Sequence, residues 1–141
     1  MMNSYYFYRI YTHMMDTTKK KNLGFFLLRL SVGLIFIVQG WGKLNGVDMV
    51  SGMLDGIGFP APGFFAWILA LTEFLGGIAV ILGLFVRHAA TLLAVVMVVA
   101  LFTVHIPGPF AQAMTPVALL GSTLALMLLG GGDWQVMKEK N

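Results

Sequence analysis

Four long apolar segments, at about residues 23–44, 63–86, 89–105 and 112–130, are separated by short polar or glycine- and proline-rich stretches. Each approaches the roughly 20 residues that a helix needs to cross a bilayer. The stretch between the first two is not a span, because Gly46, Gly52, Gly56, Gly58, Pro60 and Pro62 interrupt it. Within it Val47, Val50, Met53, Leu54 and Ile57 recur at helical spacing opposite Asp48, Ser51 and Asp55, the pattern of a short amphipathic helix lying in the interface. Arg87-His88 and Ile106-Pro107-Gly108-Pro109 are the expected turns between the later spans. Residues 1–22 form a polar, aromatic extension with no periodic apolar face, and 136–141 a short tail. The predicted fold class is all-α: a polytopic membrane four-helix bundle over residues 23–135, with a short interfacial helix in the first outer loop.

Composition changes this picture only by excluding the alternative. The chain is 58% hydrophobic and 11% charged, against roughly 25% charged in a soluble domain. Nine of its charged residues lie in 1–22 or 131–141; Arg29, Lys43, Asp48, Asp55, Glu73 and Arg87 are the rest. Too little polar surface remains to solvate the middle of the chain in water. The lysine and arginine bias sets an expected orientation. Lys19, Lys20, Lys21, Arg87, Lys138 and Lys140 collect on one side, and only Lys43 approaches the other. Both termini are therefore expected in the cytoplasm. The net charge of +3 is a topology signal of this kind and does not point to nucleic acid. Trp41 and Trp67 would mark the outer interface and Trp134 the inner one. The lysine run before the first span resembles a signal peptide, but Arg29 interrupts the apolar stretch and no small-residue cleavage site follows. An uncleaved first span is expected. Met15 is an alternative start, with Met1–Met14 an upstream extension; the mass of the native N-terminus decides between them.

Ionisable groups within spans cost at least ~2.5 kcal/mol each at the bilayer centre, so each calls for a reason. At about 1.5 Å per residue from the cytoplasmic ends, Gln39 lies ~24 Å deep, Glu73 ~20 Å, His105 ~24 Å, Lys43 ~30 Å and Arg29 ~9 Å. Gln39, Glu73 and His105 thus converge in the outer half, with Thr72, Thr103 and Gln112 nearby, while Arg29 lies apart. Arg29, Gly33, Phe36, Gly40 and Lys43 share one face of the first span; Ala66, Ala70, Glu73, Gly77 and Val80 share one face of the second. Small residues beside a charge let helices approach closely and keep lipid from it.

Glu73 is the most informative residue. It either pairs with Arg29 or Lys43 and fixes helix register, binds a polar head group or passes a proton, or stands protonated and inert. The simplest reading of Lys43 is a side chain that snorkels to the interface, and of His105 a loop histidine. Arg87 and His88 read as inside-positive anchors. The absence of cysteine excludes disulfides, thiolate zinc sites and cysteine nucleophiles. No metal-binding, phosphate-loop, dinucleotide or serine–histidine–aspartate pattern occurs. His88 and His105, at opposite ends of the third span, cannot share a haem, and the scattered methionines are packing residues.

The run Arg29-Leu-Ser-Val-Gly-Leu-Ile-Phe-Ile-Val-Gln-Gly-Trp-Gly-Lys43 resembles the first span of the DoxX family. So do Gly58-Phe-Pro-Ala-Pro with Leu71-Thr-Glu-Phe-Leu-Gly-Gly77, Leu82-Gly-Leu-Phe-Val-Arg87, and Leu129-Gly-Gly-Gly-Asp133. The resemblance covers about residues 23–135. It implies a small four-helix bacterial inner-membrane protein whose polar positions fall on Arg29, Lys43 and Glu73. Relatives include a subunit of a thiosulfate:quinone oxidoreductase and members of membrane redox-stress complexes; most of the family has no established activity. This chain carries no flavin, haem or thiol site of its own. Two classes of function stay open. In one, it is a quinone-interacting or accessory subunit of a membrane redox complex, with catalysis supplied by a membrane or peripheral partner. In the other, it is a non-catalytic scaffold or small-molecule conduit whose buried charges are structural. Association into a homo-oligomer is compatible with either.

Overall fold

The computed structural model describes residues 4–105 and 109–138, and among these the architecture is all-helical. Its helices are α1 (Ser4–Asn45), α2 (Val47–Gly56), α3 (Pro62–Leu82), α4 (Val86–Ala100) and α5 (Phe110–Leu129), with a π-helical turn, Leu101–His105, continuing α4. Helices α1 and α3, and α4 with the start of its π turn, are long and apolar enough to cross a membrane; α5 adds a fourth, shorter apolar helix. The outward side chains are apolar, among them Leu34, Val38, Leu75, Leu92, Val95 and Leu128. A surface of this kind suits hydrocarbon as solvent.

Hydrophobic burial gives little drive for helix association inside a bilayer, so close packing and polar contacts must hold the bundle. The α1–α3 contact does this with glycine. A Cβ on Gly40 would lie 2.4 Å from the backbone nitrogen of Phe74, and one on Gly33 2.6 Å from the Gly77 carbonyl oxygen. Nothing larger than hydrogen fits between the two backbones. The main core then joins Val32 and Phe36 of α1 to Val80 of α3, Leu93 and Met97 of α4, and Leu119 and Leu126 of α5. The two predicted faces are the ones buried: Arg29, Gly33, Phe36 and Gly40 on α1, with Lys43 half-buried, and Ala66, Ala70, Glu73, Gly77 and Val80 on α3.

Four details differ from the sequence expectations. The extension 1–22 is no separate element where it is described, because α1 begins at Ser4 and runs unbroken into the first span, with residues 4–21 exposed throughout. Arg87-His88 is not a turn. Gly83, at φ 75°, ends α3, Phe85 adopts a positive φ of 44°, and Arg87 and His88 fall in the first turn of α4. Glycine, which reaches positive φ at no steric cost, sets the turn four residues earlier than the charges suggested. Helix α2 forms as expected, docked through Val50 and Leu54 onto Ala66. Its faces are rotated, however: Ser51 is half-buried toward Gly63, while Met53 and Ile57 are largely exposed. Finally, the chain after α5 does not leave as a free tail. Val136 and Met137 donate backbone hydrogen bonds to the carbonyls of Leu82 and Gly83, and Asn22 of α1 bonds twice to Asp133. This strap closes the end of the bundle that carries both terminal segments, opposite the end covered by α2. Trp41 and Trp67 are exposed near the α2 end and Trp134 at the strap end. The expected Ile106–Pro109 turn lies largely outside the described residues.

Candidate functional site

Glu73 sits mid-way along α3 on its small-residue stripe, and the side chains around it leave it 1% exposed. Lys43, at the last turn of α1, reaches back and donates from Nζ to Glu73 Oε2 in an ion pair. Of the two partners proposed from sequence, Lys43 is the one that Glu73 takes, and the ~10 Å difference in depth is spanned by the lysine chain. Lys43 therefore does not simply snorkel outward. The pair borders a cavity of about 360 Å³. Its walls come from both sides of the bundle: Gln39 and Lys43 of α1 and Leu69 and Glu73 of α3 on one, Met97 of α4, Thr103 of the π turn, and Thr115 and Pro116 of α5 on the other. Met53 and Leu54 of α2 complete the lining.

Of the predicted convergence of Gln39, Glu73 and His105, with Thr103 nearby, the structure brings Gln39, Glu73 and Thr103 to one cavity, together with Lys43. Thr72 is not in it; it borders a separate open groove between α3 and α4 with His88. For His105 only the backbone, at the end of the π turn, is described; its side chain and that of Gln112 lie outside the described residues. Thr115, Pro116 and the α2 residues were not foreseen from sequence. Pro116 within an apolar span was the available signal, since proline in a helix interior removes a backbone donor and bends the helix locally.

Arg29 lies elsewhere. It is 2% exposed, and its two terminal nitrogens donate to the carbonyl oxygens of Gly131 (3.1 Å) and Ile81 (3.2 Å). Ile81 lies in the last turn of α3, and Gly131 lies in the strap, two residues beyond the end of α5. The carbonyls at a helix C-terminus carry partial negative charge, so the α3 end and the strap carbonyl together favour the guanidinium. Phe26 supplies a ring 5.9 Å from the guanidinium carbon. The glycine run 130–132 lets the strap approach this closely. A Cβ at Gly131 would lie 2.8 Å from Val86 and 3.1 Å from the Arg29 side chain, and Gly130 and Gly132 adopt φ of 77° and 80°. Arg29 clamps the strap end, and of the two pairings offered for Glu73 the one with Arg29 is not what forms.

The cavity's chemistry follows from the pair. Freeing Lys43 to hold an anion would strand the Glu73 carboxylate in low dielectric, and freeing Glu73 to hold a cation would strand Lys43. A neutral polar group between them disturbs neither charge, accepting from the ammonium or donating to the carboxylate. Among the described residues no cluster of histidine, cysteine, aspartate and glutamate is placed to hold a metal ion.

A four-helix membrane bundle that buries an ion pair beside an apolar cavity is the class of protein these features define. The DoxX family model matches residues 24–106, more than half of the chain. The chain belongs to the DoxX family. It is 34% identical to the Bacillus subtilis (strain 168) protein named "Putative oxidoreductase CatD", over 79% of this chain and 83% of that one. To the Escherichia coli (strain K12) inner membrane protein YqjF it is 27% identical, over 87% of this chain and 96% of the relative. No solved structure matches the chain.

Proposed function

We propose that the protein is an accessory subunit of a membrane redox complex, in a bacterial inner membrane with both termini cytoplasmic, and that the Lys43–Glu73 cavity holds the head group of a lipid-soluble quinone. The observation that carries this reading is an internally neutralised ion pair, with Glu73 buried and Lys43 half-buried, on the wall of a mainly apolar cavity. Its volume lies at the lower end of the ~300–1,000 Å³ typical of small-molecule sites. That suits a single ring system, with an isoprenoid tail left among the lipids. Lys43 would donate to a ring oxygen and Glu73 would accept from one that bears a proton, so the same pair serves the neutral oxidised and reduced forms. The name of the Bacillus relative points toward redox chemistry, and the inner-membrane relative toward this location. With no cysteine in the chain, thiol redox chemistry must come from a partner.

Purification in mild detergent, followed by solvent extraction, tests the reading. Quinone should accompany the wild-type protein and be absent from Glu73→Gln. Equal quinone in both, or none in either, contradicts it. The same purification should bring down a redox partner. A structural role has one observation in its favour, since the pair also ties α1 to α3. On that reading Glu73→Gln loses stability and no ligand.

A further inference from the structure

The cavity has a second wall that the ion pair does not touch. It is built where α4 ends in the π turn Leu101–His105, which carries Thr103, and where α5 holds Pro116 beside Thr115. Proline has no N–H, so the carbonyl of residue 112 lacks its usual helical donor. π turns are rare, and where they occur they frequently lie at functional sites. The π turn and α5 are in contact, and both line the cavity that the Lys43–Glu73 pair lines from α1 and α3. The hydroxyls are placed to be used. Thr103 donates to Val99 O at 2.7 Å, so toward a ligand it accepts, as from the hydroxyl of a reduced ring, and the carbonyl oxygen of an oxidised ring is left to Thr115. Thr115 makes no hydrogen bond among the described residues, and can donate as well as accept.

We propose that Thr103 and Thr115 form a second polar pole facing Lys43–Glu73 across the cavity, so that the site selects a flat apolar ring with a polar group at each end over an amphiphile with one head. The inference rests on the quinone reading and narrows it to para-substituted rings. A fatty acid or a monophenol would satisfy the ion pair alone and leave the threonine wall unpaired. A ligand with two opposed oxygens satisfies both walls. A site built to bond a ligand group discriminates against the analogue that lacks it, because its own polar atoms are then left without partners.

The test compares two probes on protein reconstituted in nanodiscs: a short-tail para-benzoquinone and the phenol with the same tail and one oxygen. Wild type should bind the quinone about tenfold more tightly, the equivalent of one ~1.4 kcal/mol contact. Thr103→Val/Thr115→Val should bring quinone affinity down to that of the phenol, leave phenol affinity unchanged and keep the melting temperature. The serine pair, Thr103→Ser/Thr115→Ser, should restore the preference. If the double valine variant is not recovered folded, Thr115→Ala, at an exposed position, gives the same readout. A preference that survives loss of both hydroxyls while Glu73→Gln abolishes binding overturns the second pole and leaves the proposed function standing. If wild type binds neither probe, both fall.

Discussion

Arg29 and Glu73 are both ionisable, nearly fully buried and set on small-residue helix faces, yet they are neutralised in different ways. Glu73 has a side-chain partner of opposite sign; Arg29 has two main-chain carbonyls, one at the end of α3 and one in the strap after α5. Sequence spacing identified both as buried. It identified Lys43 as one of two partners for Glu73, because charged side chains can be counted. It could not identify the partners of Arg29, because a carbonyl 52 or 102 residues away has no signature in residue type. Only the glycine run 130–132 hinted that something must approach closely there. Arg29→Ala should lower stability by about 3 kcal/mol, since it removes two charge-assisted bonds and leaves two buried carbonyls unpaired. Arg29→Lys should recover little of this, because one ammonium cannot reproduce a fork that reaches two separate carbonyls. Thermal unfolding in detergent reads both.

Asp133, outside the spans, gives a pH-dependent counterpart. Its carboxyl is held below the ordinary value of 3.8 by the hydrogen bond from Lys138, then by the amide of Asn22 and the lysine charge. A carboxylate depressed by folding contributes stability above its unfolded pKa and loses it as pH falls through the folded value. Asp133→Asn should therefore melt below wild type at pH 6, and the difference should shrink as pH drops below about 4.

At the level of elements, the four apolar segments and the amphipathic loop helix were legible because hydrophobic period and span length are properties of composition alone. Helix ends were less so. The α3–α4 turn falls at Gly83–Phe85 and not at the charged pair after it, because backbone conformation decides where a helix stops. The extension was judged by its lack of an apolar face, but a helix already nucleated in the span can propagate through it. Helix contact depends most on glycines whose absence of a side chain is their function. A Cβ on Gly77 would lie 2.7 Å from the Gly33 carbonyl and 2.9 Å from the Ile37 nitrogen, both backbone atoms. Gly77→Ala should force α1 and α3 apart and cost ~1–3 kcal/mol. Gly42→Ala, where nothing lies within 4 Å, should be neutral or slightly stabilising. The two melting temperatures check the packing directly.

Across the whole molecule, α1 with α3 and α4 with α5 form two closely packed pairs. The Arg29 clamp and the strap bind them at one end, and the cavity separates them toward the other. Sequence depth placed Gln39, Glu73 and His105 at this level, with Thr103 nearby. It named Gln112 of α5 but missed Thr115 and Pro116, since helix rotation about its axis is set by packing and not by depth. The central claim is that the ion pair in this cavity serves ligand binding beyond holding helices together, and one double variant separates the two roles. Replacing a buried ion pair by apolar residues of similar size is often neutral or stabilising, whereas removing one partner costs ~3–5 kcal/mol. Lys43→Met/Glu73→Leu should accordingly melt close to wild type, above Glu73→Gln alone, and yet carry no quinone in its solvent extract. A double variant that is equally stable and retains the wild-type amount of quinone would contradict the account.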